Sequence, residues 1–196
     1  MKPFADFANS YFTRLSNALT RIPREPLETL AIALSEAWKT QKQVFLFGNG
    51  GSAGNAIHLA NDFLYGISKE LGKALRVTAL PANPAVLTCL ANDEGFESIF
   101  YGQLAVLAQA GDVAIAFSGS GNSPNIIKAL ELCKSKGIRS FAVLGYTGGK
   151  AKALADVAIH VPVDDMQISE DLQLVIGHLM MQWLYENRST LKDLAL

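Results

Sequence analysis

The sequence predicts an α/β fold, a three-layer α/β/α sandwich on a five-stranded parallel sheet, with N-terminal and C-terminal helices that pack in an oligomer. Short β-branched or aromatic runs alternate with helical patterns along the chain. Each run is apolar on consecutive residues, which is typical of parallel strands that are covered on both faces. The predicted strands span 43–47, 75–80, 112–117, 139–144 and 157–162.

The helices are predicted from apolar residues that recur about every 3.6 positions. Residues 4–40 carry such a stripe, interrupted at Pro23 and Pro26. A last helix is predicted at 169–190. We find no repeat or linker, and therefore expect one domain, 1–196, with its sheet core at 43–162. Within that core the helical patterns cover 52–65, 84–108, 123–136 and 148–155.

The composition argues against several classes of function. A net charge of −1 disfavours a general electrostatic grip on nucleic acid. No uncharged apolar stretch approaches the roughly 18 residues that a membrane span needs, and residues 1–16 lack the pattern of a secretory signal. Cys89 and Cys133 lie among apolar neighbours and are interpreted as buried reduced thiols, which favours a cytoplasmic location. The 49% hydrophobic content suggests surface that an oligomer would cover.

Two loops rich in glycine and serine each follow a predicted strand and precede a predicted helix. The first is Gly-Asn-Gly-Gly-Ser-Ala at 48–53, and the second is Ser-Gly-Ser-Gly-Asn-Ser at 118–123. Such a loop presents unpaired backbone N–H groups at a helix N-terminus, where the helix dipole favours an anion. Both loops lie at the carboxyl ends of strands, where parallel sheets bind ligands. The pair predicts a phosphorylated ligand.

Each loop also has an alternative interpretation. The first matches the G-x-G-x-x-A dinucleotide fingerprint, but the next strand ends Thr-Ala-Leu-Pro at 78–81, without the ribose-binding acid. A tight turn that requires glycine explains it equally simply. In the second loop three serine hydroxyls can surround one phosphate, while Ser123 before Pro124 also fits an ordinary helix N-cap.

Histidine and carboxylate side chains form a second candidate group. His58 and Asp62 are four residues apart on a predicted helix, so they share a face on which they can bind a metal or exchange a proton. His178 lies on the last predicted helix among apolar neighbours. The alternative for each histidine is a place at the edge of the core with an ordinary hydrogen-bond partner.

Together these motifs resemble the sugar isomerase (SIS) domain family and, within it, the phosphoheptose isomerases. The resemblance covers about residues 4–190, with the motifs in the family's order. It is carried by 48–53, His58, Asn92-Asp93-x-Gly95-Phe96, Ser118-x-Ser120-Gly121-Asn122-Ser123 and Ile176-x-His178.

The resemblance implies a homotetramer with the site between subunits, a Zn²⁺ ion, and interconversion of sedoheptulose 7-phosphate with a D-glycero-D-manno-heptose 7-phosphate. His58 and His178 match metal or acid–base positions. The implied phosphate-binding residues are Ser118, Gly119, Ser120 and Ser123. The implied sugar-positioning residues are Asn49, Gly50, Gly51, Ser52, Asn92 and Asp93.

The chain departs from the family pattern at two acidic positions. Asp62 stands where the family has glutamate, and Glu170 stands where it has glutamine. One hypothesis is that Glu170 supplies the carboxylate that the shorter Asp62 cannot place, giving the metal ligands His58, Asp62, Glu170 and His178. This set suits Zn²⁺, and Fe²⁺ or Mn²⁺ is compatible with the same ligand types. Asp62 or Glu170 is then the catalytic base, and His178 the acid–base partner.

The helical wheel raises an objection to Glu170. Positions 170 and 178 differ by about 80° on an ideal helix, whereas Asp171 is nearly in line with His178. The alternative is that Glu170 and Asp171 are first-turn acids after a Ser169 cap.

Two other classes of function compete with the isomerase. One is a non-catalytic SIS protein, either a relative that binds a replication initiator or a protein that senses a sugar phosphate. The other is an isomerase of a different phosphosugar. The initiator-binding relatives lack the terminal histidine and the catalytic acid, so His178 with an acid at 62 favours an enzyme.

Overall fold

The computed structural model describes residues 1–72 and 74–192, and it confirms the three-layer α/β/α sandwich. Within these residues the sheet has five parallel strands in the order β2-β1-β3-β4-β5. Each lies within two residues of its predicted bounds. Residues 73 and 193–196 of the predicted domain lie outside the described residues. The strands are β1 (Gln43–Gly48), β2 (Arg76–Ala79), β3 (Val113–Ser118), β4 (Arg139–Leu144) and β5 (Val157–His160).

Helices cover both faces of this sheet. A π-helical turn at Asp62–Gly66 continues α3, and short 3₁₀ turns lie at Leu80–Ala82 and Phe96–Ser98. In the described part of the chain, no helix has the length and apolar character that crossing a membrane requires. The α-helices are α1 (Phe4–Leu19), α2 (Arg24–Lys39), α3 (Gly51–Asn61), α4 (Pro84–Asp93), α5 (Tyr101–Leu107), α6 (Pro124–Lys136), α7 (Ala151–Leu154), α8 (Met166–Glu186) and α9 (Arg188–Lys192).

Alternate residues of a strand pack against different helical layers. Val44 and Leu46 belong to the core formed with α2, α3 and α8. Phe45 and Phe47, on the opposite face of β1, belong to the core formed with α5 and α6. All four side chains are buried, and such burial stabilises the fold by about 1.5–3 kcal/mol per large apolar side chain. Apolar residues on both faces therefore explain why the strand sequences show no polar alternation.

Two predicted helical stretches are divided in the structure. The stretch 4–40 breaks between Leu19 and Arg24, at Pro23, but Pro26 interrupts nothing. Pro26 lies in the first turn of α2, where a backbone N–H has no intrahelical partner to lose. The stretch 84–108 breaks at Gly95, whose φ of +87° is incompatible with a continuing helix and is readily adopted by glycine.

The last helix begins earlier than predicted. Asp165 is its N-cap and accepts a hydrogen bond from the backbone N–H of Ile168 at 3.2 Å, while Ser169 lies inside the helix. The interpretation of Glu170 and Asp171 as first-turn acids after a Ser169 cap is therefore wrong. Asp171 instead accepts a hydrogen bond from the Tyr11 hydroxyl of α1. That bond is the main cause that raises the pKa of Tyr11 to about 12.

The two cysteines differ in their surroundings. Cys133 on α6 is buried as predicted, and burial raises the pKa of its thiol to about 12. The prediction is wrong for Cys89, which is exposed. Its apolar neighbours lie on α4, a helix that has no buried residue, so an apolar sequence context does not bury the thiol.

Helices α3 and α8 approach closely at one glycine. A Cβ atom at Gly177 of α8 would overlap with the side chain of Leu59 on α3, and Leu59 is fully buried. The missing side chain at 177 therefore sets the distance between the two helices. His58 and His178 are the chain neighbours of these two residues.

We expect Gly177→Ala to lower the free energy of unfolding by about 1–3 kcal/mol, because the added methyl overpacks a filled contact. Urea unfolding followed by circular dichroism measures this loss. Gly54→Ala on α3 is the control, since no atom lies within 4 Å of a Cβ built there. That variant should match the parent or be more stable by up to about 1 kcal/mol. Equal stability of the two variants would contradict the role of Gly177.

Candidate active site

The two glycine- and serine-rich loops meet at the carboxyl edge of the sheet because β1 and β3 are hydrogen-bonded neighbours. Together they line a cavity of about 230 Å³. Every substrate-binding residue that the sequence predicts in these two loops lies in its wall. The lining residues are Asn49, Gly50, Gly51, Ser52, Phe117, Ser118, Gly119, Ser120, Ser123, Met166 and Glu170.

The serine hydroxyls of the second loop differ in their hydrogen bonding. The Ser118 hydroxyl oxygen accepts a hydrogen bond from the Gly121 N–H at 3.0 Å, and that of Ser120 accepts one from Asn122 N–H at 3.3 Å. Both bonds shape the turn. Ser123 is the N-cap residue of α6 as predicted, but its side chain makes no capping hydrogen bond. Its hydroxyl is therefore available to an anion, whereas Pro124 has no N–H and the Ile126 N–H donates to Asn125 Oδ1.

The glycines of the loops also meet a conformational requirement. Gly50 has a φ of +54° and Gly121 a φ of +67°, both in the left-handed region that favours glycine. A Cβ at Gly121 would in addition overlap with the carbonyl oxygen of Gly148. The tight-turn interpretation of the first loop is therefore confirmed at Gly50, while ligand binding by the loops stays a prediction.

The second candidate group joins α3 and α8. The Nε2 atoms of His58 and His178 are 2.9 Å apart. Asp62 Oδ2 lies 3.5 Å from each of them. The His58 and His178 side chains are 50% and 41% exposed, so the point on which they converge is open to a ligand. Asp62 begins the π-helical turn, a feature that recurs at functional sites.

The donor set of this group fits a divalent cation. Within the described residues, His58, Asp62 and His178 are the side chains that combine to offer ligand atoms within 4.8 Å of one another. Imidazole nitrogen and carboxylate oxygen are zinc ligands, and ligands at about 2.0–2.2 Å from a tetrahedral ion lie roughly 3.3–3.6 Å apart. The two carboxylate–imidazole distances of 3.5 Å match this range, and the two imidazole nitrogens, at 2.9 Å, are closer together. Three protein ligands also leave one position open, as in catalytic zinc sites. The same atoms accommodate Fe²⁺ or Mn²⁺.

Glu170 lies apart from the other three predicted ligands. Its carboxylate sits against Gly51, where a Cβ atom would overlap with it. It lines the cavity between the loops, about two helical turns along α8 from His178. Its carboxylate makes no hydrogen bond or ion pair with any residue that the structure describes. Its part in a metal site stays a prediction.

Asn92 and Asp93 lie outside the cavity. Both are exposed at the end of α4, where the Asn92 Nδ2 donates to Asp93 Oδ1 at 2.7 Å. The Cys89 thiol donates to the other oxygen of the same carboxylate at 3.5 Å, and this bond raises the pKa of Cys89. Within one chain the structure therefore does not bring this pair to the two loops, and its role in sugar binding stays a prediction.

Sequence reasoning missed one residue at the loops. Asn125, on the first turn of α6, is fully buried and hydrogen-bonded to Asn49 of the first loop. The structure shows that this asparagine is buried close to a helix N-terminus. The sequence alone indicates only a polar residue in the first turn of a helix.

We expect Asp62→Asn to weaken zinc binding by about tenfold or more, because it removes the charge and an oxygen ligand while keeping the shape. Isothermal titration calorimetry on chelator-treated protein measures the affinity. Glu170→Gln should bind zinc as tightly as the parent, since its carboxylate lies away from both imidazoles. Parent-like affinity in Asp62→Asn would contradict the three-residue site, and a loss in Glu170→Gln would support the four-ligand hypothesis.

Known proteins are similar to this chain in sequence. The SIS domain family matches residues 9–145. The phosphoheptose isomerase of Nitratiruptor sp. is 40% identical over 159 residues, which cover 81% of this chain and 84% of that protein. The phosphoheptose isomerase of Pelobacter propionicus is 39% identical over 151 residues, covering 77% and 79%.

Solved structures agree with the sequence comparisons. The phosphoheptose isomerase of Neisseria gonorrhoeae superposes with a TM-score of 0.86 at 27% identity, over 94% of this chain and 100% of that one. The resemblance noted in the sequence is thereby confirmed. The chain belongs to the SIS domain family and, within it, to the phosphoheptose isomerases.

Proposed function

We propose that this protein is an aldose–ketose isomerase that interconverts sedoheptulose 7-phosphate and D-glycero-D-manno-heptose 7-phosphate through an enediol intermediate. The observation that carries the proposal is the placement of an anion-binding cavity and a histidine–carboxylate group along the same helices, α3 and α8. An isomerase of phosphosugars needs both parts. The names of the curated relatives support the same reaction.

The spacing of the two parts suits a phosphorylated heptose. Gly51 and His58 are seven residues apart on α3, or about 10 Å along the helix axis. A seven-carbon chain with its phosphoester has a comparable length, about 10 Å, since its bonds are near 1.5 Å each. A phosphate held in the cavity beside Gly51 would therefore place the carbonyl carbons near the imidazoles. Binding energy at the phosphate then orients the reacting end.

The reaction moves one proton between adjacent carbons and another between their oxygens. Asp62 is assigned as the carboxylate base, because it lies with the two imidazoles at the proposed carbonyl end. His178 is assigned as the acid–base partner that moves the proton between oxygens. Glu170 stays the alternative base predicted from the sequence, but its carboxylate lines the cavity at the end where the phosphate is placed.

A divalent cation would be held by His58, Asp62 and His178. When bound, it supplies polarisation of the substrate carbonyl. An imidazole nitrogen that binds a cation cannot donate a proton from that nitrogen.

We also propose a homotetramer with the site between subunits. Exposed apolar side chains surround the histidine group: Val175, Leu179 and Trp183 follow one another along α8, and Ile57 adjoins His58. Further exposed apolar side chains lie on α1 and the π-helical turn, namely Phe4, Phe7, Phe12, Leu64 and Tyr65. Large apolar surfaces of this kind are typical of subunit interfaces. A cytoplasmic location stays a prediction from the cysteine content.

An oligomer would also give Asn92 and Asp93 a route to the sugar. Both side chains are exposed and lie outside the cavity of their own chain. Contact between subunits could bring them to the cavity of a neighbour, as the family resemblance implies.

We expect the zinc-loaded protein to convert sedoheptulose 7-phosphate to an aldose phosphate, observed by NMR. Chelation should slow the conversion, and zinc should restore it. His178→Ala should lower kcat by about a hundredfold or more, since it removes an acid–base group. Absence of turnover in metal-replete protein would contradict the proposal and favour the non-catalytic alternative. Faster conversion of a shorter phosphosugar would indicate a different substrate.

We expect Leu179→Asp to reduce the mass of the assembly measured by size-exclusion chromatography with light scattering. The carboxylate would be buried at the proposed interface without a partner, which is costly. Leu71→Asp is the control, because Leu71 is almost wholly exposed and lies in a loop far along the chain from α8. An unchanged mass for Leu179→Asp, or an equal effect of both variants, would contradict this interface.

A further inference from the structure

Asn49 and Asn125 join the two loops of the cavity through a reciprocal pair of hydrogen bonds. Asn49 Nδ2 donates to Asn125 Oδ1 at 2.9 Å, and Asn125 Nδ2 donates to Asn49 Oδ1 at 2.8 Å. Asn125 Oδ1 also accepts the backbone N–H of Ile126 at 2.9 Å. This third bond fixes which atom of the Asn125 carboxamide is the oxygen.

The pair determines the orientation of the Asn49 side chain. Turning over its carboxamide would bring oxygen against oxygen and nitrogen against nitrogen, so both bonds would be lost. Each such bond stabilises this orientation, and leaving a buried polar group unpaired would cost more than the bond contributes. Asn49 is half-buried and lines the cavity, with one N–H and one oxygen lone pair left over. Asn125 is 0% exposed and does not line the cavity.

We infer that Asn125 is a positioning residue for the sugar: it holds the Asn49 carboxamide in one orientation, so that the remaining N–H of Asn49 meets a substrate oxygen. The inference rests on the proposed function, in which Asn49 contacts the sugar. Without Asn125 the carboxamide of Asn49 rotates freely. Substrate binding must then order the Asn49 side chain, and the entropy lost in doing so weakens the interaction with the substrate.

A double-mutant cycle tests this relation, with kcat and KM measured for sedoheptulose 7-phosphate. Asn49→Ala and Asn125→Leu should each lower kcat/KM by about tenfold, the value of one well-made hydrogen bond. The double variant should be no more than about twofold worse than Asn49→Ala, because both changes remove one interaction. Losses that multiply to about a hundredfold would overturn the inference.

Separate outcomes distinguish the inference from the proposed function. If Asn49→Ala lowers kcat/KM while Asn125→Leu does not, the positioning role is wrong and the proposed function is unaffected. If Asn49→Ala has the parent's kcat/KM, the proposed contact of Asn49 with the sugar is wrong, and the inference fails with it.

Inhibition by inorganic phosphate separates positioning from a structural effect. Leucine is branched at the same carbon as asparagine, so Asn125→Leu fills the site while removing both bonds to Asn49 and the bond from the Ile126 N–H. The inhibition constant of phosphate should stay within about twofold of the parent, since the serine loop is intact. A parallel loss of phosphate affinity would show that loop 118–123 has collapsed, and would overturn the inference. Asn125→Ala provides a second variant if leucine prevents folding.

Ser140→Ala is the matched control for loss of a buried polar contact. Ser140 is also 0% exposed, and its hydroxyl donates to Asp156 at 2.8 Å near the amino end of β4. This variant should lower Tm while leaving kcat/KM unchanged. An equal fall in kcat/KM in Ser140→Ala would mean that destabilisation explains the effect of Asn125→Leu, and the inference would be wrong.

Discussion

The close approach of α3 and α8 is the constraint on which both parts of the site depend. Gly177 allows Leu59 to pack directly against the backbone of α8. The residues next to this contact, His58 and His178, therefore face one another at 2.9 Å. At the other end of the same helices, Gly51 admits the Glu170 carboxylate in the same way. Two positions without a side chain thus fix the register of the helices.

The order of the strands supplies the remaining constraint. Because β1 and β3 are neighbours and parallel, the loops that follow them end at one edge and share one cavity. The Asn49–Asn125 pair then ties the first loop to the helix that follows the second. The groups proposed to bind the anion are therefore held by backbone geometry and a buried polar contact, with little dependence on flexible charged side chains.

Much of this arrangement follows from local sequence patterns. Consecutive apolar residues predict the strands, since parallel strands are buried on both faces. The i,i+4 spacing of His58 and Asp62 places them on one face, and the structure adds His178 to them. The burial of individual side chains depends on tertiary packing. Neither the exposure of Cys89 nor the burial of Asn125 follows from sequence neighbours, because each depends on which helix face the rest of the fold covers.

Where the family resemblance implies glutamate, this chain has Asp62, at the start of a π-helical turn. A carboxylate one methylene shorter should fall short of the imidazoles on an unchanged helix. In this chain the helix widens into a π-helical turn at that residue, and Asp62 Oδ2 lies 3.5 Å from both Nε2 atoms. The Asp62 carboxylate therefore approaches both imidazoles, and the site does not require Glu170 to supply that carboxylate. The Glu170 carboxylate instead lines the cavity beside Gly51.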